Sequence, residues 1–176
     1  MPLALDEPDP VGIHRYQLIV LASGMVDVLR SAGGWICDRA RAGWDVNVVV
    51  AEHHDARPLS ILGASALDGE WSDVVNAASH VGGLAVSARL LAADERIRAD
   101  VLKVLKRGLT QVTVWGDDWP AEFGRKVDPV QHTLSAAARA FKAHALGAVA
   151  APKDPVTDTE TLFDLGTESF RPLYSV

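Results

Sequence analysis

Three short polar stretches hold most of the side chains that could do chemistry: Ser23-Gly24, Glu52-His53-His54-Asp55 and Gly116-Asp117-Asp118-Trp119. Each follows an apolar run that suits a strand, Tyr16 to Ala22, Asp45 to Ala51 and Gln111 to Trp115, and in α/β sheets ligands favour the loops at strand carboxyl ends. The first stretch is where a phosphate would rest on amides freed by glycines and beside a lysine. LASGMVDVLRSAGG contains neither GxxxxGK[ST] nor GxGxxG, and Asp27 would turn charge of the wrong sign toward a phosphate. ATP hydrolysis is therefore not expected. The second stretch sets two imidazoles between two carboxylates, the right types for a metal or for acid/base work. Adjacent side chains on an extended strand end point to opposite sides, so the two histidines are not expected to share an ion, and Asp55 reads as a helix cap. The third stretch puts Asp117 and Asp118 where phosphate enzymes place a magnesium-binding acid, but no phosphate cradle accompanies them. No catalytic, cofactor or metal set is complete, and no cofactor is expected. Glu52, Asp117 and Asp118 are the acids that a site here would use. Trp119, followed by Pro120 in a loop, is a candidate anchor for a partner, with packing inside the domain as the alternative. His14, His80, His132 and His144 have no partner spacing.

The elements that must position these loops alternate. After the strand at Tyr16 to Ala22, apolar residues recur at helical spacing from Met25 to Ala42, interrupted by Gly33 and Gly34, which predicts a helix with a close-packed or bent middle. Gly43 closes it and the second strand follows. Asp55 to Gly63 reads as a short helix with Pro58 in its first turn, although Leu59 to Leu62 also suits a strand. Ala64 to Leu67 and Leu84 to Ala88 are further strand candidates around a helix at Glu70 to Ser79. Asp94 opens the clearest helix, which ends at Gly108 with Lys103, Lys106 and Arg107 near its close. Residues 116 to 130 read as a loop, and Leu134, Ala138, Phe141, Ala145 and Val149 form a last helical stripe. Strands alternating with helices predict an α/β fold, a three-layer sandwich with a mostly parallel sheet, Rossmann-like or RecA-like. The division is a flexible arm over 1–13, a single domain over 14–150 and a tail over 151–176.

Composition narrows the classes. The 176 residues suit one domain. A net charge of −6 argues against broad binding to phosphate backbones. A local strip from Arg39, Arg41, Arg89, Arg96, Arg98, Lys103, Lys106 and Arg107 leaves direct nucleic-acid binding open, with solvated helix faces the favoured account. Cys37 is the only cysteine, so no internal disulfide can form. The acidic start lacks a signal-peptide pattern, and no apolar run approaches the roughly 20 residues that span a bilayer. A cytoplasmic, membrane-free protein is expected.

Laid end to end, these elements resemble the RecA-type ATPase core from Tyr16 to Asp118. VVVAEHHDARPLSILGAS (48–65) is similar to that family's strand, acid-containing loop and short helix, with Glu52 at the position of its water-activating glutamate. Residues 84–117 are similar to the following strand, helix and Walker B strand. The phosphate loop is lost at Ala22 to Ala32. What remains is similar to RecA-like proteins without the ATPase site, the SulA division inhibitors and ImuA-type accessory proteins. The resemblance implies a non-enzymatic accessory or scaffold protein in DNA damage response or translesion synthesis, binding a repair polymerase. Glu160 to Gly166 (ETLFDLG) is similar to sliding-clamp-binding peptides without their initial Gln, making Leu162, Phe163 and Leu165 candidate anchors. Docking of this run onto its own domain is the alternative. Two rival functions stand beside the scaffold: a nucleotide- or sugar-nucleotide-binding Rossmann-like enzyme using Glu52, Asp117 and Asp118, and a stand-alone structural or assembly domain.

Overall fold

Apolar residues on every position of a strand require cover on both faces, and that is how the chain is built. A computed structural model describes residues 15–52, 55–78, 82–117, 119–123, 127–149 and 155–165. β1 (Gln17–Ala22), β2 (Asp45–Val50), β3 (Ser65–Ala66), β4 (Gly83–Ser87) and β5 (Gln111–Trp115) run parallel. β6 (Pro129–Thr133) and β7 (Thr159–Leu165) complete a seven-stranded sheet of order β3-β2-β1-β4-β5-β7-β6, with β7 antiparallel to both its neighbours. The mostly parallel three-layer α/β fold expected from the sequence is what forms.

Alternation along each strand sorts the core into two halves. Leu18, Val20 and Ala22 of β1 join α1 (Met25–Arg41), α2 (Arg57–Ile61) and α6 (Ala136–Ala148) on one face. Ile19 and Leu21 join α3 (Trp71–Ala78), α4 (Ala88–Ala93) and α5 (Glu95–Arg107) on the other. Asp94 caps α5 by accepting from the amides of Arg96 and Ile97, and Gly108 ends it at a φ of 65°, the left-handed turn that glycine takes without strain.

Leu59 to Leu62 belongs to α2 and the residue after it, so the short helix forms and the alternative strand does not. Two local expectations change. Residues 116–130 are not loop throughout, since a 3-10 turn forms at Ala121–Phe123 and Pro129 opens β6. The run ETLFDLG, placed in the tail, supplies β7. Leu162 and Leu165 are buried in the two halves of the core, so its apolar residues pack on their own domain.

The glycine pair in α1 explains how β7 and α6 dock. A side chain on Gly34 would lie 2.1 Å from Leu134 Cδ2, so only glycine admits that contact. Beside it, the Gly34 and Trp35 amides donate to the two oxygens of Glu160 at 2.8 and 2.7 Å. Lys142 Nζ donates to Glu160 Oε1 at 2.7 Å and to the Arg30 carbonyl at 2.5 Å. Gly34 N–H and Arg30 C=O stand in the i, i−4 relation of a helical hydrogen bond. The Lys142–Glu160 pair therefore bridges one rung of α1 from outside, and both side chains are almost fully buried.

Candidate functional site

The chain leaves β1 toward β2 on one side and returns to β4 on the other. That reversal opens a crevice at the strand carboxyl ends, where open α/β sheets hold ligands. A cavity of about 450 Å³ lies there, lined by Ser23, Gly24, Met25, Val26, Asp27, Val50, Glu52 and Arg89. Its floor is the start of α1, a 17-residue helix whose N-cap, Gly24, offers no side-chain hydrogen bond. The first-turn amides have no partner within a helix, and they carry the positive end of its dipole.

Asp27 does not meet the sequence expectation of a charge opposing a phosphate. Its Oδ2 accepts from Trp115 Nε1 at 3.1 Å, Ser87 Oγ at 3.3 Å and Ser23 Oγ at 3.4 Å. Trp115 is fully buried, so Asp27 satisfies an indole N–H that would otherwise be orphaned. It ties the first turn of α1 to the ends of β4 and β5. The cleft is then lined by Glu52 and Arg89, both exposed, together with the start of a helix that has no side-chain cap. Among the described residues no three His, Cys, Asp or Glu side chains gather to hold a metal ion, and the described donors of the cleft do not fit one.

The acids singled out from the sequence are not brought into one place. Glu52 lines this cleft, whereas Asp117 lines a separate cavity with Trp119, Val127 and Phe163. Asp118, His53, His54, His14 and His80 lie outside the described residues. Trp119 is half-buried against Phe163, with ring centroids 4.9 Å apart. Asp55 accepts from the Arg57 amide at 2.9 Å, just before α2. The basic strip is partly spoken for: Arg98 pairs with Glu122, Lys103 with Asp100, and Arg39 lies over the Trp35 and Trp44 rings. Arg89 enters the cleft because it stands two residues beyond β4. That position, not its place in a basic strip, was the signal for it.

A second polar group went unread. His132 Nε2 lies 2.9 Å from Asp38 Oδ2, and Ser135 donates its hydroxyl to Asp38 Oδ1 at 2.6 Å and its amide to Oδ2 at 3.2 Å. Burial pushes the Asp38 carboxyl up, but the Ser135 and His132 hydrogen bonds and the His132 charge outweigh it, leaving the pKa below the ordinary value. Burial, with Asp38 beside it, pushes the Cys37 thiol up, the state of an inert buried cysteine.

No family model matches the sequence, and no curated protein does. The fold, however, is that of several solved enzymes. A teicoplanin-biosynthesis deacetylase in complex with teicoplanin is 11% identical at a TM-score of 0.57, the match covering 84% of this chain and 97% of that one. The 4-carboxy-2-hydroxymuconate hydratase of Pseudomonas putida is 11% identical at 0.56, covering 92% and 98%. The N,N'-diacetylchitobiose deacetylase of Pyrococcus horikoshii is 10% identical at 0.54, covering 91% and 88%. These matches overturn the RecA resemblance, and with it the scaffold role in DNA damage response and translesion synthesis. The five parallel strands and their helices, which carried the resemblance, are common to doubly wound folds, and β6 and β7 lie beyond the residues that it covered.

Proposed function

We propose that this chain is an enzyme that adds water to a carbonyl-activated carbon of a small, hydroxylated or carboxylated substrate bound in the cleft between β1 and β4. Glu52 takes the proton from the attacking water. The first-turn amides of α1 and the Arg89 guanidinium take up the negative charge that develops on the substrate oxygen, the positioning that stabilises such an oxyanion. If the substrate is an amide, the proton held by Glu52 passes to the leaving amine; if it is a conjugated acid, it returns to the carbon beside the carbonyl. No step is assigned to a metal.

The observation that carries this reading is the joint presence of an uncapped long helix, a carboxylate and a guanidinium on one cavity at the sheet's switch point. Support comes also from the names of the fold's neighbours, which include a teicoplanin-biosynthesis deacetylase, an N,N'-diacetylchitobiose deacetylase and a 4-carboxy-2-hydroxymuconate hydratase. Deacetylation adds water to a carbonyl carbon and hydration can add it to a carbon conjugated with one, and both place negative charge on the carbonyl oxygen. The absence of a helix long and apolar enough to cross a membrane among the described residues is compatible with a cytoplasmic enzyme acting on dissolved substrate.

The test measures amine release from N,N'-diacetylchitobiose and loss of conjugated absorbance from 4-carboxy-2-hydroxymuconate. Turnover of either, falling at least about a hundredfold in Glu52→Gln and more than about tenfold in Arg89→Gln at unchanged melting temperature, is the expected result. Turnover that survives both substitutions, or the lack of both turnover and binding, overturns the proposal.

A further inference from the structure

A second cavity, of about 210 Å³, opens at the carboxyl end of β5 and is lined by Asp117, Trp119, Val127 and Phe163. Its walls are fixed by the turn that leaves the strand. Gly116 takes a φ of 99°, a backbone that residues with a side chain rarely adopt. The chain then doubles back, the Trp119 amide donating to the Asp117 carbonyl at 3.0 Å. Trp119 Nε1 donates to the Gly116 carbonyl at 2.9 Å, so the indole's one polar group is used within the turn and its plane is set. Phe163, held in β7 between Val114 and Pro129, meets Trp119 edge to face at 78°. Two half-buried rings at nearly a right angle thus make a corner.

Among the described residues the chemistry of the lining is one-sided. Aromatic faces carry the negative part of the ring quadrupole and attract cations. Asp117 adds a formal negative charge, is exposed, and has no ion-pair partner among the described residues. Val127 and Phe163 have no side-chain donor, and the Trp119 N–H is already engaged. The described lining thus offers a negative charge and aromatic faces and no free side-chain donor, the surroundings that suit a cation. We propose that this corner binds an alkylated ammonium group of a small molecule, with Trp119 and Phe163 as its aromatic walls and Asp117 as its counter-charge.

The site is separate from the cleft and does not depend on the activity proposed there. Calorimetric titration of the full chain uses choline and its neutral isostere 3,3-dimethylbutan-1-ol, which has the same shape without the charge. Choline is expected to bind at least about tenfold more tightly than the alcohol, the margin that a desolvated cation–π contact with a counter-charge supplies. Asp117→Asn is expected to weaken choline several-fold, Trp119→Phe less than Trp119→Ala, and Glu52→Gln not at all. Melting curves identify any variant that has unfolded, in which case Asp117→Asn and Trp119→Phe decide alone. Equal affinity for the two probes, no choline binding up to about 50 mM, or choline binding unchanged in both Asp117→Asn and Trp119→Phe overturns the proposal.

Discussion

Removing the carboxylate of Glu160 tests how α1 is joined to the rest of the domain. In the native chain Glu160 answers two α1 amides and Lys142, while Lys142 answers the Arg30 carbonyl. With both side chains nearly sealed from water, Glu160→Leu leaves a buried ammonium and two amides without their acceptor. Breaking a buried pair from one side costs about 3–5 kcal/mol, a large share of the ~5–15 kcal/mol that holds a domain together. For a chain of this length that is a fall of roughly 6–20 °C in melting temperature. Lys142→Met should cost a similar amount, because it strands the carboxylate instead. The double variant distinguishes the bridge from two separate contacts. Once both side chains are apolar, neither a buried ammonium nor a buried carboxylate is left unpaired, so the double variant should recover about 2–3 kcal/mol relative to the sum of the single losses. Urea denaturation followed by circular dichroism, with the slope checked for constancy, measures all three. If the single losses simply add, the two residues act independently and the bridged rung is wrong.

Other consequences are equally direct. Gly34→Ala drives a methyl into Leu134 and should cost about 1–3 kcal/mol or more by overpacking; Gly147→Ala, late in α6 with open space around it, should gain up to about 1 kcal/mol, and calorimetric melts of the two variants compare them. The Asp38 pKa is lowered in the fold, so its contribution is complete above the unfolded value and is lost as pH falls through the folded one. Asp38→Asn should therefore flatten the loss of stability on acidification below about pH 4, and an unchanged slope in pH-dependent urea curves would refute the Ser135–Asp38–His132 network. Asp27→Ala strands the Trp115 indole N–H and should cost about 1–3 kcal/mol, read from denaturation curves; a neutral result would show that water replaces the carboxylate.

How far the fold was legible depended on whether partners were local in the chain. Gly33 and Gly34 announce a close approach in α1, but Leu134, Lys142 and Glu160 are about a hundred residues away and nothing in the spacing names them. β7 hid because its inward positions begin with Glu160, an acid that a polarity pattern assigns to the surface; only the two amides and the ammonium make it an interior residue. β6 hid for the opposite reason. Its five residues are almost all solvent-facing, as suits an edge strand opened by proline, so no apolar alternation marks it. α4, six residues wedged between β4 and Asp94, is too short for a helical period to show. The resemblance to RecA rested on β1 through β5, the part of the molecule that doubly wound folds share. β6 and β7, the antiparallel part of this sheet, came from segments read as loop and tail.

The candidate site was legible in place and not in sign. Strand ends pointed to Ser23-Gly24 and Glu52, and these residues line one cavity, at the switch point of the strand order. Asp27, however, was weighed as a charge facing outward from the first loop. Side-chain direction at a helix start depends on what lies behind it, and here that is Trp115, a buried donor contributed by another strand. The carboxylate is held by that indole and two hydroxyls, so the acid that seemed to forbid an anion instead fixes the helix whose amides line the cleft. In the proposed function the charge on the substrate oxygen is met by Arg89 and those amides, so the sequence ruled out a lysine-based phosphate loop without ruling out a negatively charged ligand.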